Sequence, residues 1–166
     1  EAGAPFTESN CSEYAQNPQL LNATLFGYKK GAYTGAHKDM PGMVESAAGG
    51  ILFLDEIHRL PYEGQEMLFT LMDIGKYRRL GETQLNRSAN VLIIGATTED
   101  LSATLLKTFL RRVPVTIQIP ALSNRSLLER LQFIEMFISE EQKNIGIPIR
   151  VSNEVLLSLL FYNCAG

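Results

Sequence analysis

The sequence predicts an α/β domain of three layers around a mainly parallel sheet, followed by the beginning of an α-helical subdomain. Two short runs, residues 51–54 and 91–94, are wholly apolar. Such runs are typical of strands that are buried on both faces of a parallel sheet. A helical pattern lies between them, and strands that alternate with helices indicate a layered α/β domain.

The helix between the two runs has a predictable start and end. Pro61 suits its first turn, and Gly75 ends it. The apolar residues that recur on one of its faces are Met67, Leu68, Leu71 and Met72. Residues 77–87 then surround Gly81 and Glu82 with polar and aromatic side chains, which predicts a hairpin.

A third strand is predicted just before the character of the chain changes. Val115, Ile117 and Ile119 alternate with polar residues and stop at Pro120. Beyond that point only helical patterns occur, so we expect a core at 1–122 and the beginning of a helical subdomain at 123–166.

Two helices are predicted in this second part. Ser126 and Glu129 have the spacing of a capping box, although Ser123 competes as the N-cap. The apolar stripe that follows ends near Gly146, and a second stripe starts near Ser152.

Composition excludes several classes of function. The chain has 166 residues, 45% of them hydrophobic and 20% charged, with a net charge of −3. That charge gives no electrostatic case for binding DNA or membrane, and the longest apolar runs fall far below the roughly 18 residues of a membrane span. Cys11 and Cys164 make neither a disulfide framework nor a metal site, so we expect a reducing, cytoplasmic setting.

Asp55 and Glu56 follow the first apolar run directly. Ligands of open α/β sheets bind at the carboxyl ends of the strands, where this pair would lie. Asp55 could hold Mg²⁺ through water, because Mg²⁺ prefers oxygen ligands and gives up water reluctantly. Glu56 could orient an attacking water. The plain alternative is that the two residues cap the strand or begin a turn.

Residues 25–36 read LFGYKKGAYTGA and resemble the LFGHEKGAFTGA signature of the sigma-54-interacting AAA+ ATPases of bacterial enhancer-binding activators. Four apolar residues ending in Asp55 and Glu56 resemble the Walker B element, within a second family signature at 42–57. Asn10-Cys11, residues 96–98, 109–112 and 119–122 also match, in the family's order. Variant residues at 97–101 and 108–117 resemble the sugar-operon activators controlled by the phosphotransferase system.

The resemblance implies a partial AAA+ fold, ATP and Mg²⁺ as cofactors, and sigma-54 RNA polymerase as partner. It also implies a homo-oligomeric ring, a hexamer, that contacts DNA only through another domain and has no membrane contact. The implied contact loop consists of Gly31, Ala32, Tyr33, Thr34, Gly35 and Ala36. An ordinary mobile loop is the alternative.

The resemblance also implies individual roles. Asn10 would hold Glu56 in a switch, or otherwise satisfy local backbone. Thr97 and Thr98 would sense nucleotide, although Thr97 could instead cap a helix, and Thr98 replaces the family's Asn. Arg111, with Arg112 as the alternative, would be the finger that reaches a neighbouring subunit, or a solvated helix end.

The hairpin would face a central pore, or be simply solvated, with the residues Tyr77, Arg78, Arg79 and Arg87.

No G-x-x-x-x-G-K-[ST] occurs in the chain, and the family places this P-loop before Asn10. The family's C-terminal sensor Arg would follow Gly166. The resemblance therefore implies a chain cut at both ends, and we expect it to hydrolyse ATP negligibly by itself and to be poorly stable, self-associating or rearranged in its sheet. Two alternative functions are a non-catalytic sigma-54 or partner interaction module, which Asp55 and Glu56 disfavour, and another AAA+ remodelling ATPase, which GAYTGA disfavours.

Overall fold

The computed structural model describes residues 3–14 and 16–162. The expectations that concern Cys164 and the final residues lie outside the described residues. The chain forms two compact units, Glu1–Val115 and Thr116–Gly166, and each is described by itself.

Regular elements alternate along the first unit and are helical in the second. In chain order they are β1 (Phe6–Asn10), α1 (Pro18–Phe26), β2 (Gly27–Tyr28), β3 (Met40–Pro41), α2 (Met43–Ser46), β4 (Ile51–Asp55), α3 (Tyr62–Ile74), β5 (Lys76–Tyr77), β6 (Arg87–Ser88), β7 (Leu92–Gly95), α4 (Leu101–Thr104), α5 (Lys107–Leu110), α6 (Leu127–Ile145) and α7 (Asn153–Phe161).

The main sheet is parallel, as predicted, with the strand order β1-β4-β7. Its middle strand, β4, buries Leu52 and Leu54 completely. The prediction that the second apolar run is buried on both faces is wrong, because Leu92 is 60% exposed and Ile94 is 41% exposed. Leu92 and Ile94 are two residues apart and therefore share one face of β7, whereas Val91 and Ile93 on the other face pack against the core. Only one face of this strand is covered in the described part of the chain.

Helix α3 and the hairpin after it confirm the sequence prediction. The helix starts directly after Pro61 and ends at Gly75, whose φ of 67° is left-handed and whose N–H bonds the Leu71 carbonyl. Leu68 and Leu71 of its buried face join the apolar core beneath the sheet strands. Strands β5 and β6 then pair antiparallel.

The predicted strand at 115–119 is absent. Val115, Ile117 and Ile119 are 68%, 80% and 78% exposed, and the segment is irregular. Alternation alone does not make a strand, because a strand needs a neighbour to accept and donate its backbone hydrogen bonds. Within the described ranges, this segment pairs with no strand.

The second unit confirms the two predicted helices. Ser126, not Ser123, caps α6: its hydroxyl accepts the Glu129 N–H, and the Glu129 carboxylate accepts the Ser126 N–H. Gly146 ends this helix in a left-handed conformation, and Ser152 caps α7. Across the described residues, no helix combines the length and the apolar content that a membrane span requires.

Candidate functional site

Polar side chains meet where the three parallel strands end. Asn10 ends β1 and lies directly opposite Asp55, which ends β4. Its amide Nδ2 donates to Asp55 Oδ2 at 3.0 Å, while its Oδ1 accepts from the Ser12 N–H at 2.9 Å, which fixes the orientation of the amide. The expected partner of Asn10 was Glu56, and the structure gives it Asp55 instead, because the parallel register places the two strand ends side by side.

Asp55 is suited to hold a hydrated cation. Each of its carboxylate oxygens accepts one hydrogen bond, Oδ2 from Asn10 and Oδ1 from the Glu56 N–H at 3.0 Å. A carboxylate has about four acceptor sites, so two remain for water or metal. The described residues contain no group of three or more His, Cys, Asp and Glu side chains that could ligate a metal. Mg²⁺ usually keeps several waters and is bound through one or two carboxylates and substrate phosphates, so the chemistry of Asp55 fits it.

Glu56 has an unusual backbone. Its φ of 51° makes it the only non-glycine residue with positive φ among those described, and such residues are held in place by their surroundings at functional sites. The next residue supplies the restraint: the Ile57 N–H bonds the Ala96 carbonyl at 2.9 Å. The Ile57 side chain also occupies the space over Gly95, where an added Cβ would lie 2.8 Å from Ile57 Cδ1.

His58 connects Glu56 to Thr97 across the sheet edge. Its Nδ1 lies 2.9 Å from Thr97 Oγ1 and 3.4 Å from Glu56 Oε2, and only 7% of the His58 side chain is exposed. Thr97 follows β7 and also accepts the Glu99 N–H at 3.1 Å in a local turn. The alternative that Thr97 caps a helix is wrong, because Asp100 is the N-cap of α4. Thr98 is exposed and stands outside this cluster. Sequence reasoning missed His58, whose only signal was its position two residues after Glu56.

Cys11 lies under the same edge. It is fully buried, and burial, followed by the nearby Asp55 charge, raises the pKa of its thiol to about 11. The thiol is therefore neutral at physiological pH and packs as a small apolar group.

The GAYTGA segment is a closed loop with an exposed tip. The Gly31 N–H bonds the Ala36 carbonyl at 2.8 Å and closes the loop, and Ala36 is buried while Thr34 is exposed. Gly31 and Gly35 have φ values of 83° and 103°, which residues other than glycine rarely adopt. The loop is therefore ordered at its base and presents Thr34 to solvent.

Contacts on both sides fix the base of this loop. Strands β2 and β3 pair directly beneath it, and Lys29 pairs with Asp39. The rings of Tyr28 and Tyr33 meet edge to face with centroids 5.1 Å apart. The neighbouring Tyr28, together with some desolvation, raises the pKa of Tyr33 above its ordinary value.

An ionic cluster joins α2, which follows the loop, to the hairpin. Arg79 Nη2 donates to Glu45 Oε2 at 2.7 Å, and Tyr77 donates to the same oxygen at 3.3 Å. The Arg87 Nε–H is shared between the two carboxylate oxygens of Glu82, each 3.2 Å away, and Nη2 donates to Oε1 at 3.0 Å. Because Tyr77 is 2% exposed and Arg79 8% exposed, the expectation of a hairpin with solvated or pore-facing Tyr77 and Arg79 is wrong for these two residues.

The two candidate finger residues differ in their surroundings. Arg112 is held against α3: its guanidinium carbon lies 4.2 Å from the centre of the Phe69 ring, and its Nε lies 3.5 Å from Asp73 Oδ1. Arg111 is exposed at the end of α5 and forms no ion pair within the described residues. Neither is hydrogen-bonded to the strand-end cluster in the described part of the chain.

Comparisons with known proteins identify the relatives of this chain. Residues 1–118 match the family model of the sigma-54 interaction domain. The chain is 54% identical over 167 residues to the transcriptional regulatory protein LevR of Bacillus subtilis (strain 168), covering 98% of this chain and 18% of LevR. It is 46% identical over 156 residues to the transcriptional regulatory protein DagR of Salmonella typhimurium (strain 14028s / SGSC 2262), covering 94% and 17%. The chain thus spans less than a fifth of either relative.

The fold has a similar solved structure. The crystal structure of NtrX from Brucella abortus in complex with ADP superposes with a TM-score of 0.84 at 25% identity, covering 98% of this chain and 36% of that one. This likeness confirms the α/β fold class that the sequence predicts.

Proposed function

The chain belongs to the family of sigma-54 interaction domains, and on that premise we propose that it is part of the ATPase module of a sigma-54-dependent transcriptional activator. In the intact protein, ATP hydrolysis would move the GAYTGA loop and remodel sigma-54 RNA polymerase. The observation that carries this proposal is the joint presence of a closed, exposed GAYTGA loop and an Asp55–Glu56 pair at the carboxyl edge of a parallel sheet.

The strand-end cluster would carry the hydrolytic chemistry. When bound, ATP supplies the γ-phosphoryl group and Mg²⁺ neutralises its negative charge. Asp55 would hold the hydrated Mg²⁺, and its free acceptor sites support this. Glu56 would orient the attacking water, and Thr97 with Thr98 would sense the γ-phosphate. Asn10 would be the switch residue, acting on the carboxylate pair through its hydrogen bond to Asp55.

Arg111 is the better candidate for a finger that reaches a neighbouring subunit, since Arg112 is engaged with Phe69 and Asp73. This role requires a ring of copies, and the hexamer expected from the resemblance is part of the proposal. DNA binding would belong to another domain, because the net charge of −3 gives no overall electrostatic case for it. The cytoplasmic setting and the assignment to the phosphotransferase-controlled subgroup are proposed with it.

The contact loop would bind sigma-54 through its tip. Thr34 is exposed, and Tyr33 offers an aromatic ring with a polar end beside it. Rings of this kind supply a large contact area and are common in interfaces.

Retention of sigma-54 by the full-length protein in the presence of ADP–aluminium fluoride tests the proposal. We expect Thr34→Ala to abolish retention, whereas Thr70→Ala, which changes a half-buried threonine on α3 outside the loop, should leave it intact. ATP hydrolysis should be lost in Glu56→Gln. Hydrolysis without sigma-54 retention in any nucleotide state would refute the partner, and the absence of hydrolysis would refute the ATPase.

A further inference from the structure

The catalytic roles proposed above do not explain why His58 lies where it does. It lies in the turn after β4, between a glutamate of that turn and a threonine that follows a different strand. A histidine on a surface turn is ordinarily solvated, yet here the side chain is 7% exposed. A buried polar ring of this kind is retained with its hydrogen bonds satisfied.

The neighbours of Nδ1 determine where its proton lies. The Glu56 carboxylate, 3.4 Å away, can only accept a hydrogen bond when ionised. An unprotonated Nδ1 would present a lone pair to that carboxylate, which is repulsive. The arrangement therefore favours an Nδ1–H that is shared between Thr97 Oγ1 at 2.9 Å and Glu56 Oε2.

This proton position constrains the Thr97 hydroxyl. The threonine oxygen has two lone pairs, and it would accept from His58 and from the Glu99 N–H. With both lone pairs engaged, the hydroxyl hydrogen is available to donate to a further acceptor. The same imidazole limits the rotation of the Glu56 carboxylate.

We propose that His58 is a positioning residue that holds the Glu56 carboxylate and turns the Thr97 hydroxyl hydrogen toward a γ-phosphate oxygen. This inference rests on the proposed ATPase function. It adds a direct link between Glu56, which orients water, and Thr97, which senses nucleotide, so that displacement of one side chain shifts the other.

A matched pair of polar substitutions in the full-length protein tests the link. His58→Asn places an amide N–H close to the position of Nδ1, whereas His58→Gln places it close to Nε2. We expect His58→Gln to lower the kcat of Mg-ATP hydrolysis by about tenfold, the loss typical when a partner that orients a catalytic group is removed. KM for ATP should change by a clearly smaller factor than kcat, because the one hydrogen bond from Thr97 to the γ-phosphate is a small part of the contacts that bind ATP. His58→Asn should retain most of the wild-type kcat.

Coupling distinguishes positioning from general stability. In a Thr97→Val background, His58→Gln should cost far less than it does alone, because residues of one network are not additive. His58→Leu provides a second test should the glutamine variant fail to fold, and His37→Leu, at the other histidine, which is exposed, should hydrolyse ATP as the wild type does. Equal kcat in His58→Gln and wild type, or equal losses in the asparagine and glutamine variants, would overturn the proposal.

Failure of the ATPase activity and failure of the His58 role give different results. If Glu56→Gln removes hydrolysis but His58→Gln does not, the ATPase proposal stands and the role of His58 falls. If the wild-type full-length protein does not hydrolyse ATP, the proposed function itself fails and the role of His58 falls with it.

Discussion

Replacing Glu45 by Ala removes the carboxylate on which the ionic cluster of α2 and the hairpin depends. Arg79 donates to this carboxylate at 2.7 Å, and the guanidinium side chain is only 9% exposed. Its Nε is already buried without a hydrogen-bond partner in the described residues. The substitution would therefore leave a buried positive charge whose nearest compensation is gone.

The magnitude follows from the exposure of the two partners. Breaking a fully buried ion pair costs about 3–5 kcal/mol, and losing one hydrogen bond to a charged group costs about 1.5–3 kcal/mol. The Glu45 side chain is 42% exposed, so water screens the pair. We therefore expect a loss of about 2 kcal/mol, which lowers Tm by about 4–8 °C for a chain of this size. Glu45→Gln should lose less, since its amide oxygen can still accept from Arg79.

Thermal unfolding of the chain, followed by circular dichroism, measures this loss, with Glu66→Ala on the exposed face of α3 as control. Arg79 holds the pKa of Glu45 below its usual value of 4.5. A lowered pKa stabilises the fold above the unfolded-state value, and this contribution disappears as the pH falls through the folded-state value. The deficit of Glu45→Ala should therefore shrink as the pH falls below the usual value of 4.5. A deficit within about 0.5 kcal/mol of the control at neutral pH, or one independent of pH, would refute this reasoning.

Three further predictions follow from single contacts. In a Cys164→Ser background, the Cys11 thiol should react with a thiol reagent at the rate of global unfolding, because it is buried. Its pKa of about 11 also means that about one thiol in a thousand is ionised at about pH 8. Rapid reaction without denaturant would contradict its burial. Tyr28→Phe should bring the pKa of Tyr33 back toward 10.0, measured by NMR of labelled tyrosine, and an unchanged value would exclude the Tyr28 hydroxyl as the cause of the raised pKa. Leu68→Ala should cost about 3 kcal/mol in denaturant unfolding, because Leu68 is completely buried and the substitution leaves a cavity; a cost below about 1 kcal/mol would mean that the core collapses around the site.

The helices could be predicted from sequence because their ends are encoded locally. Gly75 and Gly146 end α3 and α6 in left-handed conformations, and Ser126 caps α6 with Glu129 three residues later. Strand prediction succeeded for β4, where burial is complete enough to require an apolar run. It failed at 115–119, because a strand depends on a partner that its own residues do not specify.

Part of the candidate site could likewise be predicted from local sequence, and part could not. The nature of the motif at Asp55 and Glu56 could be predicted, because an apolar strand that ends in carboxylates is a local pattern. The partner of Asn10 could not, since it depends on the register that places Asn10 opposite Asp55. His58 was missed for the same reason: its contact with Thr97 joins residues 39 apart, across two strand ends.

The two polar clusters have a common physical logic. Both join segments that are distant in sequence: Glu45 meets Arg79 34 residues away, and Asn10 meets Asp55 45 residues away. Apolar contacts tolerate small shifts, whereas a charged or amide group that slips from its partner is left unpaired at low dielectric. Each cluster therefore specifies one arrangement of the elements that carry it, the hairpin against α2 in one case and the strand ends in the other. The GAYTGA loop is followed by β3, α2 and then β4 with Asp55. One cluster therefore fixes α2 and the other fixes the end of β4, both within the segment that follows the loop.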